Sequence, residues 1–300
     1  MRKKHKTGIT DIIFYAISGF VFILLALSCF YPFYYVVINS ISENSKVLTG
    51  QIRCFPVGIH FNNYVDMLKI KGLGRAAFIS VARTVLGTCA MIISTTILGY
   101  IMSKKEMWHR KFWYRFLTIT MYFSAGVIPT YLNIKRLGLL DSFWVYVIPA
   151  FVSPYNMILM KTYMESIPEA LEEAAIMDGA GYARRFLKIM IPLSRPIIAT
   201  VAIFTAVGQW NSYMDTILYM TGNDNQTLQS VLYLYLNRAN MLANLIRQNP
   251  GLATQNLSNA INPTAVKHTV TVVTLIPVML VYPFFQRYFT SGIMIGAVKG

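Results

Sequence analysis

Gln209, Trp210, Asn211, Tyr213 and Asp215 fall within seven residues of an otherwise apolar stretch. An indole and a phenol offer flat faces, and primary amides offer paired donors and acceptors. That combination suits a sugar, whose C–H faces stack and whose hydroxyls take paired hydrogen bonds. Polar groups at membrane depth usually face a cavity or another helix. Tyr155 and Asn156 repeat the phenol-plus-amide pairing more weakly. Packing would use the same residues differently. Gln209 and Asn211 could bind neighbouring helices, and Trp210 could anchor an interface. Arg83, near the start of another apolar run, is expected to snorkel towards water.

Reactive chemistry is not apparent. No G-x-x-x-x-G-K phosphate loop occurs, so ATP hydrolysis is not encoded in this chain. No His, Cys or carboxylate spacing suggests catalysis or a metal site, and no cofactor is expected. Cys29 and Cys89 sit in apolar runs and Cys54 lies between runs, which is no disulfide framework.

The elements carrying the polar cluster are apolar. The chain has 300 residues, 55% hydrophobic and 13% charged, with a mean hydropathy of +0.48. Soluble domains carry about 25% charged residues. Long charge-free runs predict spans at 12–38, 78–102, 114–134, 142–162, 196–218 and 269–288. Each charge-free core is near or above the minimum of about 18 residues for a crossing helix. The expected fold is therefore an all-α membrane protein of six spans, forming a single domain over 1–300. The first apolar run, preceded by Arg2–Lys6, is too long for a signal core and reads as an uncleaved helix.

The net charge of +15 follows the same plan. The larger share of the basic residues lies before span one, between spans two and three, between spans four and five, and after span six. The positive-inside rule places those segments, with both termini, in the cytoplasm. The charge is a topology signal, and no nucleic-acid partner is expected. Among the outer loops, the first should be a packed cap with short amphipathic pieces. The third should contain a helix over 226–247, with turns at Thr221–Asn225 and Asn249-Pro250-Gly251. Prolines inside spans (Pro129, Pro149, Pro154 and Pro277) free backbone carbonyls that must meet neighbouring helices or a water-filled cavity.

Between spans four and five lies a polar loop, 166–192. Ser166 and Glu169 have the S-x-x-E spacing of a capping box, with Pro168 in the first turn. Ala170, Leu171, Ala174 and Ala175 line one face of the helix this predicts. Glu169, Glu172 and Glu173 suit its N-terminal dipole. Gly179 and Gly181 permit a sharp turn. A second amphipathic helix follows over 182–189, with Tyr182, Phe186 and Ile189 on one side and Arg184, Arg185 and Lys188 on the other. Pro192 should end it.

The pattern Glu173-Ala174-Ala175, then Asp178-Gly179-Ala180, then Ile189 and Ile191-Pro192 resembles the EAA loop of ABC-importer permeases. Ile191 stands where leucine is usual. The resemblance extends over most of the chain. Leu137–Asp141, Phe151–Asn156 and Gln209-Trp210-Asn211-Ser212-Tyr213 are similar to segments of carbohydrate-uptake permeases. Six spans with a short N-terminus are similar to the smaller, MalG-type partner, in the LplC/YtcP-like branch. The resemblance implies a heterodimer with a second permease, two ABC ATPase subunits and an extracytoplasmic solute-binding protein, in a bacterial cell membrane. It also implies that Glu173, Ala174, Ala175, Asp178, Gly179 and Ala180 contact the ATPase, and that the solute is an oligosaccharide. A secondary transporter, a channel subunit and an ABC permease for another solute are the alternatives.

Overall fold

The computed structural model of the chain describes residues 8–222, 224–248, 267–280 and 283. Both extreme termini, the turn expected at Asn249-Pro250-Gly251 and the distal part of the sixth expected span lie outside the described residues. Every regular element among the described residues is helical. The chain divides into two compact units, residues 1–70 with 235–273, and residues 71–234 with 274–300.

In the first unit, α1 (Ile9–Ser40) is continuous through Pro32. Within residues 10–40 its most apolar 18-residue window has a mean hydropathy of 2.5. No residue in its most apolar window is buried, and Phe14, Phe20 and Phe22 stand fully outward. A helix apolar all round belongs in lipid or against another apolar surface. The segment after α1 folds back as α2 (Asn44–Leu48) and α3 (Asn62–Leu68). Ile38, Val47 and Ile52 form its core. Tyr34 donates to the Cys54 carbonyl at 2.6 Å, and Asn63 donates to that of Ser40 at 3.0 Å.

The second unit is organised on α4 (Leu73–Ser103), which is 31 residues long and contains no proline. It is followed by α5 (Arg110–Tyr122) and α6 (Val127–Arg136). A 3-10 turn at Phe143–Tyr146 precedes α7 (Pro154–Glu165). Next come α8 (Ala170–Met177), α9 (Tyr182–Arg185) and α10 (Ile191–Leu193), with a π-turn at Phe186–Met190 between the last two. Then follow α11 (Arg195–Asn211) and α12 (Met214–Tyr219). Finally, α13 (Leu228–Gln248) and α14 (Lys267–Leu280) each have residues in both units.

Helix α4 packs along α7 and α11. Tyr100, Met160, Met164, Met190 and Val201 make the core at one end of this contact. At Gly99 a Cβ would lie 2.7 Å from Met160 Cγ, so glycine lets α4 and α7 approach closely.

Several expected spans are not continuous helices. The run 114–134 breaks at Phe123–Gly126, between α5 and α6. In 142–162 a non-helical stretch containing Pro149 separates the 3-10 turn from α7. Residues 196–218 break at Ser212-Tyr213. Two of the prolines expected inside spans stand in or near the first turn of a helix, Pro154 beginning α7 and Pro129 in α6. There the missing N–H would have no intrahelical partner.

Candidate functional site

Two groups of charged and aromatic residues lie towards opposite ends of α4. The first is built on the α11–α12 break. Arg83, in α4, is 2% exposed. Its Nε donates to Gln209 Oε1 at 3.2 Å, and Nη2 donates to the same oxygen at 2.9 Å. Nη2 also reaches Asp215 Oδ2 at 2.5 Å. Nη1 donates to Asp215 Oδ1 at 3.1 Å and to the Ser212 carbonyl at 3.3 Å. All five guanidinium protons therefore have an acceptor. The guanidinium carbon lies 4.3 Å from the centre of the Tyr146 ring. Asp215 further accepts from Ser212 Oγ at 3.0 Å and from the Thr216 amide at 2.9 Å. Arg83 does not snorkel. A carboxylate within reach removes the incentive to seek water, and sequence proximity could not reveal one 132 positions away.

The residues expected to meet a solute separate here. Gln209 is buried, and its amide nitrogen donates to the Tyr146 carbonyl at 3.2 Å. Trp210 is buried, with Nε1 donating to the Thr274 carbonyl at 3.0 Å. Asp215 is occupied by Arg83. Asn211 is exposed, accepting from Gln229 Nε2 at 3.1 Å. Tyr213 is half-buried and stacks on Tyr233, ring centres 4.8 Å apart. Tyr155 is exposed and Asn156 buried, both in the first turn of α7. Asn211 and Tyr213 thus keep some surface open, while Gln209, Trp210 and Asp215 are engaged in holding the break in place.

Beside this group, Asp141 takes a left-handed φ of 55°, which Asp tolerates better than most residues. It accepts from the Thr221 amide at 2.6 Å and hydroxyl at 2.7 Å. These hydrogen bonds hold its carboxyl below the usual range.

The second group surrounds α8. Ser166 does not cap this helix. Its hydroxyl donates back to the Tyr163 carbonyl at 2.7 Å, and Glu169 at the N-cap makes no side-chain cap. Glu169 instead pairs with Lys105 at 2.6 Å, a partner outside the local sequence. Glu172 turns inward, where it pairs with Lys104 and accepts from the Tyr100 hydroxyl at 3.1 Å. The Lys104 ammonium also lies 4.3 Å from the centre of the Tyr100 ring. Glu165 pairs with Arg110 and with Lys161. Glu169 and Glu172 of the hairpin, with Glu165 at the end of α7, thus tie this region to residues 104–110.

Glu173, Ala174, Asp178 and Gly179 are exposed, and Ala175 and Ala180 are half-buried. Leu171, Ile176 and Met177 also face outward. These side chains give a short helix an apolar, solvent-facing surface. The helix ends in a Schellman turn. The Ala180 amide donates to the Ala175 carbonyl at 2.8 Å and that of Gly179 to Ile176 at 2.9 Å. Gly179 has φ +75°, and nothing lies within 4 Å of where a Cβ would stand. Its requirement is conformational.

The second helix of the loop departs from the expected amphipathic pattern. The π-turn adds a residue to one turn, and Arg185 and Met190 become the buried pair. Arg185 therefore does not share an exposed face with Arg184 and Lys188. Its guanidinium carbon lies 4.2 Å from the centre of the exposed Tyr182 ring. Pro192 does not end the helix. The helix runs to Leu193, and the chain bends by 76° there before α11.

Lys105 keeps the Glu169 carboxyl below its ordinary 4.5, first by hydrogen bonding and then by charge. Glu169 in turn holds the Lys105 ammonium above its ordinary 10.5. Both groups are open to water, so the pair is a tether rather than a large stabilising term.

Comparison with known proteins gives these sites a setting. Residues 95–295 match the family described as binding-protein-dependent transport system inner membrane component. The chain is 32% identical over 296 residues to the polygalacturonan/rhamnogalacturonan transport system permease protein YtcP of Bacillus subtilis (strain 168), covering 98% of this chain and 100% of that one. It is 33% identical over 270 residues to Protein LplC of the same organism, covering 90% and 89%. A solved chain from a bacterial ABC transporter involved in the import of the acidic polysaccharide alginate superimposes with a TM-score of 0.82. Identity is 31%, with coverage of 94% of this chain and 98% of that one. With a family match across two-thirds of its length and relatives aligned nearly end to end, the chain is a membrane-embedded permease of the binding-protein-dependent ABC-importer family.

Proposed function

We propose that this permease translocates an oligosaccharide derived from a polysaccharide, delivered by an extracytoplasmic solute-binding protein. The observation that carries the substrate class is the end-to-end similarity to a polygalacturonan/rhamnogalacturonan permease. The α11–α12 break is consistent with it, because exposed Asn211 and half-buried Tyr213 offer an amide and a ring face at one place. Tyr155 and Asn156 are secondary candidates, and Gln209, Trp210 and Asp215 shape the wall behind.

In this proposal the whole chain is one six-span domain with both termini in the cytoplasm. The chain pairs with a second, homologous permease and two ATPase subunits. Residues 166–192 form the coupling loop. Glu173, Ala174, Ala175, Asp178, Gly179 and Ala180 seat in the ATPase, and no cofactor is held. The exposed Leu171, Ile176 and Met177 support that placement.

The test is uptake of a labelled galacturonate oligomer by the reconstituted importer. Asn211→Ala and Tyr213→Ala should lower uptake while the assembly still purifies intact. Unchanged uptake over a range of solute concentrations would return both residues to packing. Ala174→Trp should detach the ATPase or abolish solute-stimulated hydrolysis, and wild-type values for both would remove the loop from the ATPase contact. Reporter fusions after Lys111 and after Lys188 should be cytoplasmic and one at Asn249 external; the reverse would overturn the topology.

A further inference from the structure

The loop after α4 and the first turns of α5 form an open concavity of about 590 Å³. Its lining includes Lys105, Arg110, Lys111 and Arg115 together with His109, and no carboxylate lines it. Glu106 lies in the same loop without reaching it. Lys105 is committed to Glu169 of the hairpin and Arg110 to Glu165 at the end of α7. Among the described residues, Lys111 and Arg115 have no ion-pair partner. Two uncompensated cations facing one concavity, next to two paired ones, are a recognition site for an anion.

The surroundings identify its source. Trp108 is 73% exposed and Phe112 60% exposed, and Trp113 and Phe116 also stand out from α5. No residue of α5 is buried. Trp108 stacks on the His109 ring at 4.2 Å. The apolar run 116–134 begins at the end of this cationic stretch. Basic groups beside exposed aromatic rings at the mouth of an apolar run are the composition of a membrane interface, where rings sit at headgroup level. Basic pockets there take lipid phosphates.

We infer that this pocket binds the phosphate headgroup of an anionic phospholipid, with Lys111 and Arg115 as the principal contacts and Trp108 and Phe112 against the acyl–glycerol boundary. The inference rests on the proposed crossing of the bilayer by 114–134. The bound lipid would sit beside Lys105 and Arg110, the side chains that hold the coupling hairpin through Glu169 and the adjoining end of α7 through Glu165. Lipid composition would then bear on how firmly the hairpin is held.

The experiment uses the complete importer in membranes of phosphatidylglycerol mixed with phosphatidylcholine, and counts retained lipid by native mass spectrometry. The wild type should retain phosphatidylglycerol in excess of its mole fraction. Lys111→Gln with Arg115→Gln should weaken this retention roughly thirtyfold, the effect of two interfacial cations, whereas Lys111→Arg with Arg115→Lys should preserve it. Equal retention by the glutamine variant overturns the proposal. Millimolar inorganic phosphate at constant ionic strength should leave the lipid in place; displacement would make this a free-phosphate site and overturn the lipid assignment. Retention by the paired permeases alone, lost when the ATPase joins, would assign the pocket to that partner and equally overturn it. The fusion after Lys111 tests the underlying topology without these variants, so the two failures are distinguishable.

Discussion

Near one end of α4, Arg83 is enclosed, with every donor occupied and an aromatic ring over its face. At the other end the charges grade outward. Lys104 and Glu172 are 16% and 14% exposed, while Lys105 and Glu169 are 71% and 61% exposed. The same helix thus carries a fixed joint and a graded one. In the enclosed joint a lost partner leaves a charge stranded in low dielectric. In the outer one, water replaces whatever is removed. Under the proposed function, rigidity suits a break beside the solute path, and adjustability suits a hairpin that moves with the ATPase.

The largest expected effect is at the enclosed joint. Arg83→Met should destabilise the protein by about 3–5 kcal/mol by leaving Asp215 unpaired. The double change with Asp215→Asn should recover a substantial part of that. Thermal unfolding of the detergent-purified assembly reads both. Strict additivity of the two changes would mean that the enclosure does not couple them.

Next comes Gly179→Val. Its left-handed backbone would be forced on a β-branched residue, costing on the order of 1–3 kcal/mol at the end of α8. Solute-stimulated ATP hydrolysis should fall while the purified chain stays folded. Wild-type coupling would show that the turn tolerates rearrangement.

Glu172→Gln should cost about 2 kcal/mol of hairpin docking, the range for hydrogen bonds to charged groups. Faster amide exchange across 170–177, with α4 unchanged, is the expected signature. Unaltered exchange would assign the docking to Glu165 and the apolar contacts instead.

The smallest effect belongs to Lys105–Glu169. A lowered carboxyl stabilises above 4.5, and its contribution disappears as pH falls through the lowered value. A raised ammonium contributes below 10.5 and loses that as pH rises through the raised value. Coupling should therefore be flat between about pH 6 and pH 8 as far as this pair is concerned, and Glu169→Gln should be mild and lessened further by salt. A steep pH response abolished by Glu169→Gln would show that the outer joint is as enclosed as the inner one.

The contrast also explains what the sequence could disclose. Helices α1 and α4 were legible because apolar composition and length suffice for them. The breaks at 123–126 and 212–213 were not, since an unbroken apolar run has the same composition whether or not the helix is continuous. Glu169 has the local spacing of a cap, yet its partner Lys105 lies 64 positions away. The burial of Arg83 is hidden for the same reason, its carboxylate partner lying 132 positions away. The Gly179 turn was legible because a left-handed cap needs only the residue itself. The polar cluster at 209–215 is recognisable as a set, but its division into buried and exposed members depends on α4 and on Thr274, which no local window contains.

The π-turn at Phe186–Met190 makes residue count, rather than residue type, the variable that aims the loop. Deleting any one of the five would restore an α-helix and rotate everything before it by about 100° relative to α11. The face carrying Ala174 would then point elsewhere with every side chain retained. Substitutions along this turn should consequently be absorbed far more readily than a single-residue deletion, and the nine residues between Gly179 and Ile189 form a spacer whose length is under stricter constraint than its composition.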